Sequence, residues 1–176
     1  MRLAQRLLPA RSADVSGSIF NWPAGYYGSN YYRIKTSTGA ETSRARYTTT
    51  DLPPGPCKVE ASWPLNYQFT RRALYIISDG QGELGRVRKN QTTRTTQFTE
   101  LGTFTSRDNI HIVEVSNEAT QVLRSELRAI TDAIRFVMVE TPPGVSVTAL
   151  EAEVADHDPA RGSRLMRTEL AVNGNG

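Results

Sequence analysis

Few residues in this chain have the type and spacing needed for chemistry. Its two histidines, His111 and His157, lie far apart, and neither stands in a metal-ligand spacing or beside a nucleophile it could activate. The only cysteine, Cys57, sits inside an apolar strand pattern and reads as a small buried hydrophobe; with no second cysteine, an intrachain disulfide is excluded. Asp79, Glu83, Asp108 and Asp132 are candidate carboxylate pairs, yet each falls at a turn or strand start, where acids accept backbone hydrogen bonds. Asp132 and Arg135 stand three apart, so on a strand they face opposite sides. Asp132 then closes the preceding loop, and Arg135 pairs with an acid on a neighbouring strand. GQGELG is a hairpin loop, because a phosphate cradle would follow a strand and open a helix. No catalytic signature emerges, and the prediction is a non-enzyme. What remains is non-covalent: GYYGSNYY, residues 25–32, sets four tyrosines among glycine, serine and asparagine.

The elements that must carry those residues are strands. RARYTTTDLPPGPCKVEASWPL contains two extended runs meeting at Leu52-Pro53-Pro54-Gly55, which makes either a hairpin or a crossing between strands. RALYIISDGQGELGRVRK gives an apolar run, an Asp79-Gly80 turn and a second strand near Leu84–Arg88. QFTELGTFTS and NIHIVEVS alternate as half-buried strands, and DAIRFVMVE closes the series. Trp63, before Pro64, reads as a core residue at a strand end. Only SNEATQVLRSELRAI departs from this pattern: Ala119, Val122, Leu123, Leu127 and Ile130 have helical spacing after Asn117, which predicts one short helix. Short strands at regular spacing predict an all-β, antiparallel, jelly-roll-like β-sandwich.

The 176 residues therefore divide into a sandwich over 14–140, an N-terminal arm over 1–13 and a C-terminal arm over 141–176, the latter with one strand at Val145–Leu150. The arms differ in charge: residues 1–13 carry Arg2, Arg6 and Arg11 and no acid, while residues 140–176 carry six acids against three arginines. Opposite signs suit contacts with other structural proteins or with further copies, as a homo- or hetero-oligomer. The net charge of +3 names no partner. RVRKNQTTR is the most basic window but lacks interleaved aromatics, so no specific nucleic acid is predicted. No run reaches the roughly 20 apolar residues that span a bilayer, so no membrane insertion is predicted. Gln5 and Arg6 interrupt the N-terminal leucines, and no signal peptide is predicted.

Five segments, GYYGSNYYR, ARYTTTDLPPGPCKVEASWP, TRRALYIISDGQG, FTELGTFTS and DAIRFV, occur in the order expected of the golvesin C-terminal-like domain, which the chain resembles over about residues 14–139. That family is also described as similar to the carbohydrate-binding domain of xanthan lyase. The resemblance implies a β-sandwich module, usually appended to secreted or surface enzymes, that holds polysaccharide. Departures are Cys57, where family members carry an aromatic in that strand or beside it, and a loop lengthened by residues 117–127 before the closing strand. With this resemblance, Trp22, Tyr26, Tyr27, Tyr31 and Tyr32 are expected to stack on sugar faces, with Asn30, Arg33 or Arg72 bonding to hydroxyls. One tyrosine of each adjacent pair is expected in the core, since strand neighbours face opposite sides.

No cofactor is predicted. A structural calcium ion is compatible with such modules, but no acidic loop has the ligand spacing. A module of this kind without a signal or catalytic domain predicts a bacteriophage setting: a virion-associated decoration, fibre or tail-adaptor protein, assembled in the host cytoplasm and contacting surface polysaccharide. Two alternatives accompany that reading, a purely structural brick and a carbohydrate-binding accessory of a polysaccharide-degrading enzyme.

Overall fold

A computed structural model describes residues 3–23, 27–64, 68–93, 97–120 and 127–140. All belong to one compact unit, Met1–Pro142; the predicted C-terminal arm, with its strand at 145–150, lies outside the described residues. Twelve strands follow in chain order: β1 Gln5–Pro9, β2 Asp14–Ser16, β3 Ile19–Pro23, β4 Asn30–Lys35, β5 Arg44–Thr49, β6 Gly55–Ser62, β7 Ala73–Asp79, β8 Gly82–Lys89, β9 Thr99–Ser106, β10 His111–Ser116, β11 Arg128–Thr131 and β12 Ala133–Met138. They form a four-stranded sheet in the order β1-β12-β6-β9, a five-stranded sheet β2-β5-β10-β7-β8 and a three-stranded sheet β11-β4-β3. Every strand pairing is antiparallel. The all-β sandwich expected from the sequence is the fold found.

Two sheets meet face to face because each strand commits alternate residues to the interior. In the four-stranded sheet, Leu8, Ile134 and Ala61 lie opposite one another across β1, β12 and β6, and Phe136 lies opposite Val59. In the five-stranded sheet, Tyr47, Val113 and Ile77 form one cross-strand row, and Ala45, Val115 and Tyr75 the next. All these residues join one hydrophobic cluster with Trp63, which is 1% exposed. Burying each large side chain is worth roughly 1.5–3 kcal/mol, so the inward rows hold the sheets together. Strand β10 was expected to be half-buried, but all six of its residues are buried. It lies between β5 and β7, and Arg44 and Arg46 close over Glu114 on its outer side.

The proline-glycine segment at residues 52–55 is a crossing between sheets, since β5 and β6 belong to different ones. Gly55 takes φ +132 there, which a side chain would resist. Gly17, between β2 and β3, has φ +83, and a Cβ on it would stand 2.2 Å from the Thr42 carbonyl. Only glycine lets β3 leave β2 and enter the three-stranded sheet.

Two expectations are corrected. The N-terminal arm is in fact an edge strand: residues 5–9 pair along β12, Leu8 is 7% exposed, and a 3₁₀ turn at Ala10–Ser12 buries Ala10 completely. Its apolar positions are few but aimed inward. The predicted helix fails at its C-terminal end, where Arg128–Thr131 pair with β4 as strand β11; residues 121–126 lie outside the described residues. Fully buried Gln91 accounts for the extended backbone. Its side chain accepts from the Ile130 amide at 2.8 Å and donates to the Ile130 carbonyl at 2.7 Å, satisfying the groups a helix would have paired internally.

Candidate functional site

Strands β3 and β4 form a ribbon whose register decides which side chains meet. Trp22 lies opposite Tyr31, and Phe20 opposite Arg33, so these four share one face. Tyr31 is buried at 6% exposure and roots the group in the core, whereas Phe20 and Trp22 remain 53% and 45% exposed. The Arg33 guanidinium lies 3.8 Å from the centre of the Trp22 ring, in reach of a cation–π attraction. It also donates to the Tyr31 hydroxyl, from Nη2 at 2.8 Å and from Nε at 3.3 Å. Arg33 is thus held in place by a ring on one side and a hydroxyl along one edge. The face can stack a flat apolar surface and offer charged donors beside it.

The ribbon's opposite face carries Asn21, Asn30 and Tyr32, which line an open cleft of about 410 Å³ with Arg11, Pro23 and Ser29. The Asn30 amide donates to the Asn21 amide oxygen at 2.7 Å. A second cleft, of about 430 Å³, lies along β1 and holds Tyr27, Phe98, Arg135, Gln5, Arg6 and Leu7. There the Tyr27 and Phe98 ring centres are 4.7 Å apart, and the Arg135 guanidinium stands 3.9 Å from the Phe98 ring.

The eight sequence-predicted site residues are accordingly divided. Trp22, Tyr31 and Arg33 come together. Asn30 and Tyr32 share the reverse face of the same ribbon. Tyr27 belongs to the separate cleft, and Tyr26 lies outside the described residues. Arg72, exposed just ahead of β7, shares no hydrogen bond or ion pair with the ribbon among the described residues; its amide donates to Thr70 and its carbonyl accepts from Arg88. Phe20 was missed by sequence reasoning, although IFNWP does place it two residues from Trp22 and hence on the same strand face. Asn21 was missed because only the strand register reveals it, and Arg11 because it reaches the cleft from the 3₁₀ turn, outside the ribbon.

Several other titratable groups have structural partners. The buried Asp79 carboxylate accepts from the amides of Gln81, Gly82 and Arg107 and pairs with the Arg107 guanidinium. The Arg107 hydrogen bond above all holds its pKa well below the usual carboxylate range. Arg135 bonds Glu60 on the neighbouring strand β6. Burial pushes the Cys57 thiol up to about 11, so it stays protonated at neutral pH. His111 is buried, its ring 5.9 Å from that of Phe136 and its Nε2 3.2 Å from the Pro53 carbonyl. Among the described residues no group of three or more His, Cys, Asp or Glu is placed to hold a metal ion. None of their helices is long and apolar enough to cross a membrane.

This antiparallel sandwich is similar in fold to several solved chains. A Paenibacillus xanthan lyase superposes with a TM-score of 0.60 at 15% identity, over 77% of this chain and 13% of the lyase chain. The CBM36-1 domain of a multidomain xylanase from the hindgut metagenome of Trinervitermes trinervoides superposes with a TM-score of 0.52 at 9% identity, over 78% of this chain and 100% of that domain. The Podospora anserina GH26-CBM35 β-(1,4)-mannanase gives 0.54 at 13% identity, over 81% of this chain and 29% of the mannanase. At these identities the likeness is one of fold. The sequence itself matches the golvesin C-terminal domain over residues 14–138, and the chain belongs to that family. No curated protein matches it.

Proposed function

We propose that this protein is a carbohydrate-binding module that contacts polysaccharide through the β3–β4 ribbon. The observation that carries the proposal is the pairing of exposed Phe20 and Trp22 on one strand face with the fixed Arg33 guanidinium. Residues two apart on a strand are separated by about 7 Å, so the two rings present a continuous strip rather than one isolated contact. Aromatic faces with a few fixed polar groups are how proteins hold sugars without chemistry. Support also comes from the similar solved chains, which include portions of a xanthan lyase, a xylanase and a mannanase.

Affinity electrophoresis through gels containing soluble polysaccharides tests this reading. Retardation by at least one polymer is expected, with loss in Trp22→Ala and Phe20→Ala and retention in Arg72→Ala. Retardation that survives both aromatic substitutions would move the site elsewhere, and no retardation in any gel would overturn the function.

Two settings are proposed for the module. An accessory role beside a polysaccharide-degrading enzyme draws support from those similar chains. The alternative is the phage particle, with the sandwich facing outward and joined to other structural proteins through ends of opposite charge. Mass spectrometry of density-purified particles from the producing host separates them: the chain co-purifies with capsid and tail proteins in the second setting only.

A further inference from the structure

The three-stranded sheet differs from the other two in charge. Its strands IFNWP, NYYRIK and RAIT hold Arg33, Lys35 and Arg128 and no acid, whereas the four-stranded sheet contains Glu60 and Glu100, and the five-stranded sheet contains Asp14, Asp79, Glu83 and Glu114. No Asp or Glu occurs anywhere from Val15 to Ala40. The register puts the three cations on one face, since Arg33 lies opposite Phe20, Lys35 lies opposite Arg128, and Arg33 and Lys35 are two apart on β4. That is also the face of Trp22.

Among the described residues, Arg33 is fixed without a carboxylate, as is Arg88, which donates to the carbonyls of Arg72, Glu118 and Ala119. Arg44, Arg46, Arg86, Arg107 and Arg135 are each paired with a carboxylate. Arg33 is fixed by a ring and a hydroxyl, and among the described residues no carboxylate lies within ion-pair distance of it. A guanidinium has five N–H donors. Tyr31 engages one from Nε and one from Nη2, which leaves the edge formed by Nη1 and the second Nη2 hydrogen. Such an edge matches the two oxygens of a carboxylate, and immobilising it in advance lowers the entropy lost on binding. Sugar hydroxyls do not require a full positive charge on a sheet whose described strands hold no acid. Carboxylate-bearing sugars do.

We infer that the ribbon selects acidic polysaccharide, with Arg33 receiving a sugar carboxylate while Trp22 and Phe20 stack on the rings. The inference rests on the carbohydrate-binding reading and sharpens it to a substrate class. Its test uses polygalacturonate, alginate and hyaluronan, each beside its carboxyl-reduced form, and isothermal titration of the full chain. At least one acidic polymer is expected to bind roughly tenfold tighter than its reduced form, the order of one charge-assisted hydrogen bond. Arg33→Gln should erase that preference at unchanged melting temperature, and Arg33→Lys should keep only part of it. Arg72→Gln, the same charge change off the ribbon, should leave the preference intact. Equal binding of acidic and reduced forms would overturn the inference and leave the carbohydrate reading standing, as would an equal loss in Arg72→Gln. Absence of binding to all six polymers and to neutral glycans would overturn both.

Discussion

Single residues in this chain do their work mainly as satisfied buried polar groups. Asn117, 1% exposed, accepts from the amides of Thr42 and Ser43 at 2.9 and 3.0 Å and donates to the Lys35 carbonyl and the Thr42 hydroxyl. Removing it strands the buried Ser43 amide and loosens three part-buried bonds, and one stranded buried group costs about 1–3 kcal/mol, so Asn117→Ala should lower stability by roughly 1–3 kcal/mol in urea titrations. Asp79 adds a pH dependence with a definite sign. Its folded-state pKa lies below the unfolded value, so its contribution is fully present above about pH 4 and is lost as the pH falls through the folded value. Asp79→Asn should therefore flatten the fall in melting temperature below pH 4. Much at this scale was legible: the structural roles of Asp79, Arg135, Cys57 and Trp63 follow from turn position, strand parity and apolar context. The partners of Asn117 and Gln91 were not, because they lie far away in sequence and a lone amide carries no local signal of being buried.

At the scale of elements, the outer strands are where sequence and structure part. Strand β1 has the composition of a tail, and its place in the sheet depends on Leu8 meeting Ile134 across the ladder. Leu7 points the other way and is 41% exposed. Leu8→Ala should cost about 2–4 kcal/mol and Leu7→Ala under about 0.5 kcal/mol, measured by chemical denaturation. Equal, negligible effects would mean that the segment behaves as the arm its composition suggests. Strand β11 teaches the complementary lesson. Leu127 and Ile130 have helical spacing by chance of a short window, and the tertiary bonds from Gln91 and the ladder with β4 outweigh so weak a propensity. Central strands β7 and β12 were readable from their apolar runs, and β10 from its alternation, although the burial of both its faces was not.

For the molecule as a whole, the sandwich, its family and the core position of Trp63 were legible, whereas the set of side chains around Trp22 depends on the β3–β4 register. Trp63 is 1% exposed, with its ring centre 6.4 Å from that of Tyr75, and it belongs to the core. Trp22 is 45% exposed on the ribbon beside Arg33. On the proposed function, binding and stability fall to different parts of the chain, and fluorescence can read them separately. Emission from Trp22→Phe, which retains only Trp63, should be blue-shifted and resist acrylamide, while the wild-type emission should contain a quenchable component that polysaccharide protects. Trp22→Ala should leave the denaturation midpoint within about 0.5 kcal/mol of wild type, the usual range for an exposed position, whereas Trp63→Ala should cost about 3–5 kcal/mol. If polysaccharide instead raised the melting temperature without protecting Trp22 from acrylamide, the contact surface would lie off the ribbon, and the clefts at Tyr27 and at Asn30 would be the places to look.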